Sequence, residues 1–384
     1  MLHENEVKAG RQFKRICHLI HDDGEGGGAV SVLAHMKWYF REYDIIFLHG
    51  GSGRVEEFCT REHIRNVRLP IDRIWKCLFG WIPLLYWLIK LKPDLLILHG
   101  QWAGAMGAVA GKLAGLPRML YIAHWPCFYT DWDIYRVIRN RIMEEIPVGL
   151  CDRTICLSPE NFYQYYIRFP KKGHKLVQLS NANPDWDLPT AESRDKLRRE
   201  VGMHERNVHV VSVARLASQK NISWLLRSWV SVQQRVPEAR LWIVGTGEEE
   251  EKLRTLAAEL EITGSCTFLG SRKHGIRYVD AADIVAATTL YEAHSHSVLE
   301  ALRCGKPIVA NNADGVRCSL RDGHEGFLVQ VGDVVAFADR IVQLCQSREL
   351  RERMGDEGRK SVQKYEMDQV MPKYSAVISS LIKA

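Results

Sequence analysis

The stretch Tyr291-Glu-Ala-His-Ser-His-Ser-Val-Leu-Glu300-Ala-Leu-Arg-Cys-Gly305-Lys-Pro307 decides the reading of this chain. The apolar run Ile284-Val-Ala-Ala287 stands before it and Pro307-Ile-Val-Ala310 closes it, so the segment predicts strand, loop, helix, glycine break and strand. In a parallel α/β sheet such a loop lies at the carboxyl ends of the strands. There a helix N-terminus offers free N–H groups and a positive dipole to an anion. Glu292 and Glu300 stand eight residues apart, one in the loop and one a turn into the helix, so two carboxylates can hold hydroxyls on either side of a bound phosphate. The same letters also admit a structural reading: Ser297-Val-Leu-Glu300 fits a capping box, in which Glu300 only returns to the backbone of the N-cap residue.

Working outward, short apolar runs alternate with helical segments. Strands are predicted over 13–20, 43–49, 94–99, 118–123 and 153–157, with a glycine-rich loop over 21–28 and helices over 29–41 and 103–114. Around 181–189 the pattern breaks, and a polar, charged stretch runs to Asn207. A second series follows over 208–214, 241–245, 284–287, 307–310 and 326–331. Buried strands alternating with helices imply parallel sheets covered on both faces, and 384 residues suit two such domains.

Three further places carry chemistry. Arg215 and Lys220 follow the strand over 208–214, five residues apart, so both cations can reach one pyrophosphate as it departs; alternatively they are a solvated loop pair. Gly245-Thr-Gly247 follows Leu241-Trp-Ile-Val and, taken alone, is a tight strand-to-helix turn. Gly24, Gly26 and Ala29 fit a dinucleotide fingerprint, but His49-Gly-Gly51 stands where that fold needs an acidic residue for the ribose.

With Glu300-Ala-Leu-Arg-Cys-Gly-Lys-Pro307 after the first glutamate, the opening stretch resembles the E-x7-E signature of retaining GT-B glycosyltransferases, the large group-1 (family 4-like) family. The resemblance implies two Rossmann-like domains facing each other across a cleft. Residues 1–185 would form an acceptor-side domain, with the helix over 367–384 packing back on it, and 186–366 the nucleotide-sugar donor domain. It implies a retaining hexosyltransferase that moves a sugar from a UDP- or GDP-sugar to a hydroxyl of a glycan or lipid-linked acceptor, in cell-surface glycan or glycolipid synthesis. Glu292 would lie by the donor sugar and Glu300 on the ribose, with backbone N–H groups of His294, Ser295, His296 and Ser297 near the phosphate. Ala214-Arg-Leu-Ala-Ser-Gln-Lys-Asn221 resembles the family's Gly-Arg-Leu-x-x-x-Lys-Gly element, with Ala214 and Asn221 in place of its glycines. Gly27 and Gly28 would meet the donor from the first domain and Gly245 and Gly247 from the second. His124, ending Tyr121-Ile-Ala-His, would contact the transferred sugar; His99 and Gln101 lie where the family has an acceptor-side His-x-His, Gln101 departing from it. Two other functions stay open: an epimerase or hydrolase of the same fold, and a non-catalytic nucleotide-sugar-binding protein.

No cofactor and no metal are expected. Asp131-Trp-Asp133 and Asp185-Trp-Asp187 look like metal-binding pairs but lack a rigid strand end, and His294 with His296 lacks a third ligand for zinc. Of the net charge of +6, +5 sits in residues 1–185, which hold 24 basic and 19 acidic residues, and +1 in the remainder, which holds 28 and 27. No dense basic run suggests nucleic acid. Ten scattered cysteines and an N-terminus without a basic, apolar leader lead to an expectation of cytoplasmic residence. One segment leaves the inner face of the membrane open. Over 74–92, Trp75, Phe79, Trp81, Tyr86 and Trp87 stand between Arg73, Lys76, Lys90 and Lys92, interrupted by Gly80 and Pro83. It is too short to span a bilayer, and it reads equally as an interfacial segment or a buried helix.

Overall fold

The computed structural model describes residues 14–21, 27–51, 53–71, 77–124, 134–183 and 188–383. The chain divides into two compact units, Met1–Pro184 with Met367–Ala384, and Asp185–Glu366. In the first, β1 (Arg15–Ile20), β2 (Asp44–His49), β3 (Arg65–Arg68), β4 (Leu95–His99), β5 (Met119–Ala123), β6 (Arg153–Cys156) and β7 (Leu176–Gln178) form one sheet in the order β3-β2-β1-β4-β5-β6-β7. Every pairing is parallel. Leu95-Leu-Ile-Leu-His99 is buried along its whole length, as a strand covered on both faces must be.

The helix Met367–Lys383 belongs to this unit. Tyr39 Oη donates to the Met371 carbonyl at 3.4 Å, Tyr374 Oη to that of Ser180 at 3.3 Å, and Arg118 Nε to that of Leu381 at 3.2 Å. The fully buried Glu144 side chain accepts from the Tyr121 and Tyr165 phenols, which supply the hydrogen bonds that a polar group removed from water requires.

The segment over 74–92 is described from residue 77 on, as the helix Cys77–Leu91. The helix has one buried side and one exposed apolar side. Leu84, Leu88 and Leu91 are buried against the first unit's core, while Trp81, Ile82, Tyr86 and Ile89 are 41%, 55%, 57% and 52% exposed. No helix among the described residues is long and apolar enough to cross a membrane.

In the second unit, β8 (Val208–Val213), β9 (Ala239–Val244), β10 (Cys266–Gly270), β11 (Ile284–Ala287), β12 (Ile308–Asn311) and β13 (Gly326–Val329) form a parallel sheet in the order β10-β9-β8-β11-β12-β13. Alternate residues feed two cores. Val210, Leu241, Ile243 and Ile284 pack with Leu225, Trp229 and Ile341, whereas Val211, Trp242, Val244 and Val285 pack with Val279, Val298 and Leu302. Strand order reverses between β8 and β11, and ligands of open α/β sheets bind beyond the carboxyl ends of strands at such a point.

Candidate active site

Arg215 and Lys220 leave the end of β8, and Glu292 lies in the loop that leaves β11, so the reversal of strand order brings them to one edge. The Lys220 ammonium pairs with the Glu292 carboxylate, both side chains less than a quarter exposed, and Thr289 Oγ1 lies 3.4 Å from the same oxygen. Arg215 is exposed, and its side chain has no hydrogen bond or ion pair among the described residues. After the 3-10 turn Ser218–Lys220 the backbone passes through Asn221 at φ +48°. Asparagine tolerates this left-handed conformation, which explains how it stands where the resemblance expects glycine.

Buried polar groups tie the two loops together. Gln219 Nε2 donates to the Tyr291 carbonyl at 2.7 Å, Thr288 Oγ1 to that of Lys220 at 2.9 Å, and Asn311 Nδ2 to that of Thr288 at 2.7 Å. The Glu292 and Ser295 amides donate to the carbonyls of Asp314 and Gly315 at 3.1 and 3.0 Å. Gly315 has φ +72°, and a Cβ there would stand 2.3 Å from the Glu292 carbonyl oxygen. Sequence reasoning missed Gln219, Thr288, Asn311 and Gly315. Only Gly315, in Asp-Gly after an apolar strand, carries a local signal.

The capping-box reading of Glu300 is corrected. The N-cap of the helix His296–Arg303 is Ser295, so Ser297 is already helical and Glu300 does not occupy the third helical position. Tethering of Ser295 to Gly315 starts the helix two residues earlier than the box requires. The Ser295 side chain does not cap the helix either; its Oγ lies 3.1 Å from that of Ser297. The helix therefore presents a first turn without a side-chain cap, the feature that suits an anion.

The His294 ring is buried, with Nε2 2.9 Å from Ser319 Oγ and its centroid 5.1 Å from that of Tyr365, and burial pushes its pKa down to about 3. It is a neutral structural ring. Gly245 and Gly247 have a packing reason of their own: a Cβ on Gly245, at φ +138°, would lie 1.9 Å from the Ala214 carbonyl oxygen, and one on Gly247 2.3 Å from that of Leu216. Their backbone thus props the segment that carries Arg215.

In the first unit, Gly27 and Gly28 open the helix Gly27–Tyr39 after β1. His99 ends β4, and its Nδ1 lies 3.0 Å from Nε2 of His124, just beyond β5. Gln101 begins the helix Gln101–Leu113 and donates to the Asn140 carbonyl at 3.4 Å. His49 is buried at the end of β2 with Nδ1 2.5 Å from the Gly51 carbonyl, so an imidazole occupies the place where a dinucleotide fold needs a carboxylate. Gly24, Gly26 and both Asp-Trp-Asp motifs lie outside the described residues.

A doubly wound sheet with two cations, a carboxylate and an uncapped helix N-terminus at its switch point defines an α/β protein with a site suited to an anionic ligand. Comparison with known proteins agrees. Glycosyl transferases group 1 matches residues 193–361, and Glycosyltransferase Family 4 matches residues 26–182. The putative glycosyltransferase EpsD of Bacillus subtilis is 30% identical over 281 residues, 71% of this chain and 72% of that protein. The UDP-Gal:alpha-D-GlcNAc-diphosphoundecaprenol alpha-1,3-galactosyltransferase of Escherichia coli is 24% identical over 77% of this chain and 76% of its own length. Among solved structures, Anabaena HepE in complex with UDP and glucose superimposes with a TM-score of 0.82 at 20% identity, covering 96% of this chain and all of that one. The chain belongs to the group 1 glycosyltransferases and has the GT-B fold.

Proposed function

We propose that this glycosyltransferase moves a hexose from a UDP- or GDP-sugar to a hydroxyl acceptor with retention at the anomeric carbon, in cell-surface glycan or glycolipid synthesis. The observation that carries this reading is the Lys220–Glu292 pair beside the uncommitted Arg215 at the β8/β11 switch point. Residues 186–366 serve as the donor domain, and 1–185 with the helix over 367–384 as the acceptor side. The diphosphate lies over the first turn of the helix His296–Arg303, near the amides of residues 294–297. Arg215 and Lys220 neutralise it as it leaves, Glu292 releases Lys220 and turns to the donor sugar, and Glu300 holds the ribose. Gly27, Gly28 and His124 contribute from the first unit, with His99 and Gln101 toward the acceptor. As the bond from the anomeric carbon to the β-phosphate oxygen breaks, the acceptor oxygen bonds that carbon on the same face, and its proton passes to the departing phosphate. Two cations and a helix dipole meet the developing charge, so the reading calls for no cofactor and no divalent metal. The E. coli relative's UDP-Gal donor and the UDP and glucose with HepE favour a uridine nucleotide. Incubation with UDP-, GDP- and ADP-sugars, followed by mass spectrometry of products, tests the reading. Turnover that proceeds equally without any acceptor would point to an epimerase or hydrolase, and binding without cleavage to a sensor.

The exposed apolar row Trp81, Ile82, Tyr86 and Ile89, with Lys90 Nζ 4.8 Å from the Trp87 ring centre, supports a second element: peripheral contact with an anionic membrane, at its inner face for a cytoplasmic enzyme. The E. coli relative acts on a diphosphoundecaprenol-linked sugar, and a lipid-linked acceptor here would explain such a surface.

A further inference from the structure

His124 is the outer end of a line of three histidines. His18 Nδ1 lies 3.0 Å from His99 Nε2, and His99 Nδ1 lies 3.0 Å from His124 Nε2. Successive rings are inclined by only 21° and 13° with centroids 5.3 Å apart, the spacing of rings bonded edge to edge in nearly one plane. Strand register builds the line. Ile20 pairs with His99 and His99 with Ile122, so His18, His99 and His124 share one face of the sheet and climb diagonally over the adjacent strands β1, β4 and β5. His35 and Tyr374 roof it: the His35 ring lies 5.8 Å from His99 and 4.4 Å, edge on, from Tyr374.

The inner end sets the direction of the hydrogen bonds. His18 is fully buried, and its Nε2 has no partner among the described residues. A neutral imidazole carries one N–H and one lone pair, and a buried N–H without an acceptor is the rarer and costlier orphan. The His18 proton therefore sits on Nδ1 and is given to His99 Nε2. His99 then holds its proton on Nδ1 and gives it to His124 Nε2. Burial keeps the inner rings neutral, with the pKa of His18 pushed down to about 3 and that of His99 well below its usual value.

We propose that His18 and His99 are positioning residues that fix His124 in its Nδ1–H tautomer, so that this ring meets substrate as a hydrogen-bond donor and has no lone pair left to act as a base. The donor role rests on the reading that His124 contacts bound substrate; the tautomer does not.

The test is ¹⁵N imidazole spectroscopy of the full-length enzyme without ligand, with the three signals assigned by single substitution. The expected pattern is a proton on Nδ1 and none on Nε2 of His124. His18→Leu should leave His124 exchanging between tautomers and lower kcat about tenfold, with little change in KM for the donor selected by the sugar-nucleotide panel. His18→Asn, whose amide N–H can replace the lost donor, should restore both the His124 spectrum and most of the rate. A wild-type His124 protonated on Nε2 overturns the proposal, as does an unchanged His124 spectrum in a folded His18→Leu enzyme. Because the wild-type spectrum decides the tautomer, an unfolded variant does not protect the idea. A full-rate His124→Ala enzyme overturns the substrate contact, and the donor role with it, while the tautomer stands on its own spectrum, so the two failures are distinguishable.

Discussion

Lys220 and Glu292, separated by 72 residues of sequence, form an ion pair across the point where the second sheet reverses its strand order. The Arg215 side chain, five residues before Lys220, has no such partner among the described residues. The two cations therefore differ in what they do for the unliganded fold, although both are proposed to act on the same diphosphate.

Arg215→Ala and Lys220→Ala should each lower kcat/KM by about 2 to 4 kcal/mol of transition-state stabilisation, the scale for removing one preorganised charge. Only Lys220→Ala should also lower the melting temperature, because it leaves a largely buried Glu292 carboxylate unpaired. Calorimetry and steady-state kinetics on both variants check this. Near-normal turnover in both would remove the leaving-group role.

Glu300→Gln should weaken binding of free UDP roughly tenfold, about 1.4 kcal/mol, as expected for one lost charge-assisted hydrogen bond to ribose. Glu292→Gln should leave UDP binding intact, since it frees Lys220, and should harm transfer instead. Titration calorimetry separates them; normal UDP affinity in Glu300→Gln would leave that residue without a nucleotide role.

Transfer should persist in EDTA, because the cations proposed to meet the diphosphate are side chains. Activity lost in EDTA and regained with magnesium or manganese would turn attention to Asp131, Asp133, Asp185 and Asp187.

Acid should destabilise the fold through its buried histidines. Burial lowers the pKa of His18 and His294 to about 3, and that of His35 and His99 well below the usual value. Above pH of about 6.5, native and unfolded chains both hold these rings neutral and the groups cost nothing. As pH falls from there toward 3, the unfolded chain binds protons that the native one cannot, so stability declines. Each ring still neutral at pH 5 costs about 2 kcal/mol against an ordinary unfolded pKa. Urea unfolding at pH 7 and pH 5 measures the loss, and His294→Gln should shrink it; equal stability at the two pH values would contradict neutral burial.

Membrane contact should be reversible and salt-sensitive, with each basic residue near an anionic surface adding about 1 kcal/mol. Trp81, Tyr86 and Ile89 changed together to Ser leave the buried Leu84 and Leu88 in place, so this variant should stay folded and lose co-sedimentation with anionic vesicles at low salt. A wild type that ignores such vesicles would make the exposed row an ordinary surface.

Local sequence determined the elements and much of the candidate site. Continuous apolar runs mark strands buried on both faces, glycines and prolines mark the turns, and Arg215, Lys220 and Glu292 follow strand ends, with Glu300 in the next helix, at places that can be read by eye. Whether Ser297 capped the helix could not be read in that way, because the answer lies in a bond from Ser295 to Gly315, twenty residues on. Likewise the Lys220–Glu292 pair exists because β8 and β11 are neighbours while β9 and β10 lie to the other side. The histidine line shows the difference most plainly. His18, His99 and His124 are spread over 107 positions, each an ordinary residue in or beside an apolar strand. Parallel register alone sets them on one sheet face in hydrogen-bonding sequence, since side-chain direction alternates along a strand but which strands are adjacent is a property of the folded sheet.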